Sequence, residues 1–91
     1  MGKKEVIYLA VFVPVGNGAY SIYFPDVPGC ASGGDNFMHA KEMAHEALQL
    51  HLDWMVRDGD EIPESTLRLS EENLEGDDDC IVVGIKVLLP L

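Results

Sequence analysis

Tyr20-Ser21-Ile22-Tyr23-Phe24-Pro25-Asp26-Val27-Pro28-Gly29-Cys30 decides how this chain folds. Tyr20, Ile22 and Phe24 alternate with Ser21 and Tyr23, so the run reads as a strand with one more deeply buried face. Pro25 and Pro28 cannot donate ladder hydrogen bonds; they end the strand and turn the chain into a short third strand around Gly29 to Ser32. Within that corner the prolines and Gly29 fix the backbone, and Asp26 is placed to cap nearby amides.

Upstream, Glu5 to Pro14 is rich in β-branched and aromatic residues. Val15-Gly16-Asn17-Gly18 then supplies hairpin chemistry before Ala19 to Phe24, so the first two strands are expected to pair antiparallel. Downstream, Gly33-Gly34-Asp35-Asn36 is a turn and helix-entry signal, with Asn36 or Asp35 as cap. From Phe37 to about Asp58, Phe37, Ala40, Ala44, Ala47, Leu48, His51 and Met55 recur at helical steps, and Gly59 is a natural stop. The alanines let this helix lie close on a sheet, with Trp54 and Met55 expected to cover its margin. Asp60 to Leu69 reads as an extended linker pinned by Ile62-Pro63. Ser70 to Leu74 reads as one helical turn capped by Ser70, and Glu75 to Asp79 as a charged loop. Cys80 to Leu89 closes with a strand whose Ile81, Val83, Ile85, Val87 and Leu89 form an apolar face. The order β-β-β-α-β defines an α+β sheet covered on one face by one long helix. That helix is long enough to act as a right-handed crossover laying the fourth strand parallel to the third.

Ninety-one residues make a single domain, 1–91. Six basic residues against sixteen acidic ones leave a net charge of −10, which disfavours nucleic acid and anionic membrane surfaces and suits a basic partner. No apolar run approaches the ~20 residues of a membrane span, and no signal-peptide pattern opens the chain, so a soluble cytoplasmic protein is expected. Cys30 and Cys80 form no Cys-x-x-Cys pair and read as reduced, packed thiols.

The candidate chemistries are sparse. A two-metal nuclease needs carboxylates converging from adjacent strands, yet Val6 to Pro14 and Ile81 to Pro90 contain no acid. His39, His45 and His51 are spaced so that their imidazoles point about 120° apart on a helix, which prevents convergence on one metal. Asp77-Asp78-Asp79 lacks the ligand spacing of a calcium loop. No triad signature surrounds any hydroxyl or thiol. No catalytic residue, metal ligand or cofactor site is therefore expected. One surface candidate remains: the rigid corner with Tyr23, Phe24, Pro25, Asp26, Pro28 and Gly29, where aromatic anchors on pre-organised backbone can form part of a partner-binding surface.

The Phe24-Pro25-Asp26-Val27-Pro28-Gly29-Cys30 run, followed by Gly34-Asp35-Asn36, Ala40, Ala44, Ala47-Leu48 and Gly59-Asp60-Glu61-Ile62-Pro63, closely resembles the HicB-like antitoxin domain of bacterial and archaeal toxin–antitoxin pairs. The likeness runs from roughly Val6 to Leu67. It implies a partial ribonuclease-H-like sheet of strand order 3-2-1-4. It also implies a non-enzymatic antitoxin that docks on a small, basic, HicA-like mRNA-cleaving toxin and masks its active surface. Asn36 and His39 keep the helix cap of the family but not its reciprocal carboxylate. Met43 and Glu64 also depart from the family pattern, at positions concerned with packing. Many relatives add a DNA-binding segment after the last strand, whereas this sequence reaches Leu91 directly after it, so direct DNA binding by this chain alone is not expected. The first strand is apolar on both sides and one helix covers only one face, so self-association as a dimer or higher homo-oligomer, or partner binding, is expected. The competing readings are an orphan homo-oligomeric domain that binds another protein or a small ligand and, last, a residual metal-dependent nuclease.

Overall fold

The computed structural model describes residues 3–67 and 79–90, which form four strands and one helix. Strand β1 (Lys3–Gly16) turns at Asn17 and Gly18 into β2 (Ala19–Tyr23), and the two pair antiparallel with Val11 opposite Tyr23 and Pro14 opposite Tyr20. After the corner, β3 (Ala31–Gly34) pairs antiparallel with β2. Its start falls two residues later than the sequence suggests. Val27 N–H donates to the Phe24 carbonyl at 3.0 Å and Cys30 N–H to the Val27 carbonyl at 3.2 Å, so Gly29 and Cys30 are held in successive turns.

Helix α1 (Phe37–Asp58) begins and ends at the residues its signals mark. The Asn36 side chain accepts the His39 N–H at 2.9 Å. At the far end Gly59 takes the left-handed conformation, φ 77°, and its N–H returns to the helix's last carbonyls. The reciprocal half of the cap is present in altered form: His39 Nδ1 accepts the Asp35 N–H at 3.0 Å, where a carboxylate would ordinarily serve.

Ala40, Ala44, Leu48 and Leu52 form the buried line of α1 against Tyr8, Ala10, Phe12 and Ile22 of the sheet. The small residues bring helix and sheet close enough that a Cβ on Gly34 would lie 2.3 Å from the Ala40 nitrogen. Phe12, Tyr20 and Phe37 form an aromatic triangle at the start of the helix, with centroids 5.4 to 6.1 Å apart. Trp54 does not cover the sheet as expected. It lies about 200° around the helix from the buried Leu52 and remains 57% exposed, while Met55 packs on the core.

Strand β4 (Ile81–Pro90) joins β1 on the side away from β2, completing the order β3-β2-β1-β4. Its direction corrects the crossover expectation. Ten partners from Lys3 opposite Pro90 to Phe12 opposite Ile81 run antiparallel, so β4 is antiparallel to β1 and hence to β3. The helix is not the whole return path: residues 60–80 separate it from β4, enough chain to travel back along the sheet and enter from the opposite end. The first part of that path, Ile62 to Leu67, lies against the half of β1 that β2 is too short to reach. There the Tyr8 hydroxyl donates to the Pro63 carbonyl at 2.5 Å and the Ser65 hydroxyl donates to the Ile7 carbonyl. The expected helical turn at Ser70–Leu74 and most of the charged loop at Glu75–Asp79 lie outside the described residues.

Candidate functional site

The corner after β2 is tied down from both sides. Phe24 and Val27 are buried, 2% and 1% exposed, and act as core anchors for the intervening Pro25 and Asp26. The Asp26 carboxylate accepts the Thr66 N–H at 2.8 Å and the Thr66 hydroxyl at 3.1 Å, which fixes the linker to the corner. That partner is invisible in sequence, since the two residues stand forty positions apart. Pro28 and Gly29 are exposed, and Gly29 has φ 88°, so the tip of the corner presents rigid backbone to solvent. Tyr23 is half-buried on the sheet face away from α1, opposite Val11 and Ala31. The six candidate residues thus divide between core (Phe24), a half-buried corner position (Pro25), clamp (Asp26), the far face (Tyr23) and an exposed rim (Pro28, Gly29).

Gly29 also borders a feature that sequence reasoning missed. Between the outer edge of β3 and the flank of α1 lies an open groove of about 520 Å³, lined by Gly29, Cys30 and Ala31 on one side and by Leu50 and Trp54 on the other. A second hollow continues from it past Ser32, Met43 and Leu50. Met43, Ala47, Leu50 and Trp54 fall at steps of four, three and four residues, a second apolar line on the helix beside the buried one. That spacing was the available signal. Acidic side chains rim both hollows: Asp58 and Asp60 at one, Glu46 and Asp53 at the other.

Burial pushes the Cys30 thiol above its ordinary value, which keeps it protonated and a poor nucleophile. The Tyr8 phenol is raised first by burial and then by the nearby Asp26 charge. His39 and His51 are half-buried and His45 is exposed, and among the described residues no three of His, Cys, Asp and Glu gather as a metal set. No described helix is long and apolar enough to cross a membrane.

A four-stranded antiparallel sheet of order β3-β2-β1-β4 under one long helix defines a class of small α+β domains, and solved antitoxins share it. The chain superposes on one chain of a toxin–antitoxin complex from Streptococcus pneumoniae with a TM-score of 0.74 at 20% identity, covering 92% of this chain and 69% of that one. In sequence, residues 8–88 match the family described as HicB-like antitoxin of bacterial toxin–antitoxin system, and the chain belongs to that family. It is 35% identical over 60 residues to antitoxin HicB 1 of Photorhabdus laumondii, which is 66% of this chain and 39% of the relative. It is also 43% identical over 49 residues to an uncharacterized 14.9 kDa protein of Haemophilus phage HP1, which is 54% of this chain and 37% of that protein. The matched stretches therefore span less than half the length of these two relatives.

Proposed function

We propose that the chain neutralises a basic, HicA-type ribonuclease by docking on it, without chemistry of its own. Membership of the HicB-like antitoxin family over residues 8–88 carries this reading. The net charge of −10 supports it, since an acidic surface accelerates encounter with a basic partner and orients it. The exposed part of the corner, Pro28 and Gly29 with Tyr23 nearby, belongs to the docking region in this reading. Phe24, Pro25 and Asp26 hold that region in shape. The cytoplasm, where messenger RNA is cleaved, is the compartment that such a role requires.

Self-association is the second part of the proposal. Ile7, Val82 and Leu88 are 46%, 41% and 41% exposed, and the β1–β4 register puts all three on the sheet face away from α1. An apolar face of this kind suits a second copy of the chain and leaves the helix side open. The same face favours the alternative of an orphan homo-oligomer with no toxin partner. The discriminating experiment is co-expression with a HicA-type ribonuclease, followed by light scattering on the purified species. A mixed complex supports neutralisation by docking; a homo-oligomer that leaves the toxin behind supports the orphan reading and removes the first.

A further inference from the structure

The two edges of the sheet are treated differently. On β4, the Leu88 N–H donates to Gln49 Oε1 at 3.0 Å and Gln49 Nε2 donates to the Leu88 carbonyl at 2.7 Å, so a side-chain amide occupies the place a neighbouring strand would take. Lys86 adds a charge to the same strand. Both are devices that discourage strand addition. The outer edge of β3 has neither. Its sequence is Ala31-Ser32-Gly33-Gly34, with no charge and no proline, and no described strand lies beyond it. Alongside runs the groove floored by Leu50 and Trp54, which are 59% and 57% exposed on a helix whose core line is 0% exposed.

We infer that β3 is a receiving edge: an extended, basic segment of a partner protein adds to it as a fifth strand and seats an apolar side chain between Leu50 and Trp54. This rests on the docking reading above and names where and how the partner is held. Strand addition supplies backbone hydrogen bonds along the edge, and the adjacent pocket supplies selectivity for the side chain. Charge chooses the occupant. Glu46, Asp53, Asp58 and Asp60 rim the groove and its continuation, and no lysine or arginine lines either. A second copy of the chain would bring its own net charge of −10 to this acidic rim, whereas a lysine- or arginine-rich segment is attracted to it. Trp54, a large exposed aromatic that lines the groove, is the side chain most suited to act as the anchor.

The test uses the full chain and a purified HicA-type ribonuclease. Trp54→Ala is expected to weaken binding by at least about 30-fold, the loss typical of a central aromatic anchor. Leu50→Asp should do the same, while Met38→Ala, on the opposite flank of α1 and 65% exposed, should leave affinity unchanged. Independently of any variant, hydrogen exchange on the wild-type chain should show the amides of residues 31–34 protected when the partner is added. Wild-type-like affinity in both groove variants, or no protection at residues 31–34, overturns the inference while leaving docking intact. Loss of self-association instead of partner binding in the variants assigns the groove to a second copy and also overturns it. If the wild-type chain fails to bind the toxin at all, the docking proposal itself falls and takes this inference with it.

Discussion

Gly34→Ala tests the closest approach in the fold. A Cβ at Gly34 would sit 2.3 Å from the Ala40 nitrogen, 2.4 Å from its Cα and 2.9 Å from its Cβ. Two of these atoms are backbone, so no side chain can swing aside. The first turn of α1 must retreat by about 1.1 Å to bring 2.3 Å up to the 3.4 Å of ordinary contact. That turn holds the Ala40 N–H bond to the Asn36 carbonyl at 2.8 Å and the Asn36 side-chain cap, and Phe37 of the aromatic triangle moves with it. Overpacking of this kind costs about 1–3 kcal/mol where side chains can yield, and an all-backbone clash belongs at or beyond the upper end. For a chain of this size about 3 kcal/mol lowers the melting temperature by on the order of 10–20 °C. Gly84→Ala provides the internal comparison. Its Cβ meets only the Ile7 Cγ2 at 3.0 Å, a side-chain atom that can give, so its effect should stay within about 1 kcal/mol. Thermal unfolding followed by circular dichroism reads both. Equal melting temperatures for the two variants would refute the packing argument.

Two further outcomes follow from the same contacts. The folded chain holds the Tyr8 phenol protonated more tightly than the unfolded chain does, so its contribution to stability is complete below the ordinary value near 10 and is lost as pH rises through the higher folded value. Urea unfolding from pH 8 upward should show that loss in the wild type and a flatter profile in Tyr8→Phe, which should also lose about 1 kcal/mol at neutral pH with its bond to Pro63. Gln49→Ala uncovers the Leu88 peptide on the β4 edge and should increase concentration-dependent association in sedimentation equilibrium; unchanged association would mean that Gln49 does not guard that edge.

Much of the architecture is legible in the residues because local chemistry and tertiary packing agree. Pro25, Pro28, Asn36 and Gly59 mark boundaries through their own backbone and capping preferences, and the structure places the corner, the helix and its ends accordingly. The direction of β4 is not legible. It depends on the connection between Asp58 and Ile81, whose sequence has no periodicity that would carry a directional signal. The Asp26–Thr66 clamp and the Gln49–Leu88 pairing are hidden for a related reason: each joins residues about forty positions apart through a contact that has no sequence pattern. Leu52 and Trp54 show the limit of reading a helix with two apolar lines. Periodicity reveals that both lines exist, but packing against the sheet decides which is buried, and here it is the line of Leu52. The exposed line is the one that shapes the groove.

Neutralisation by docking is tested most simply by a cleavage titration: a fixed amount of a HicA-type ribonuclease, an RNA substrate, and increasing amounts of this chain. Cleavage is expected to fall to background at a fixed stoichiometric ratio, and higher salt to weaken the inhibition, as an acidic surface docking on a basic one requires. Undiminished cleavage at a large excess of folded chain would contradict it.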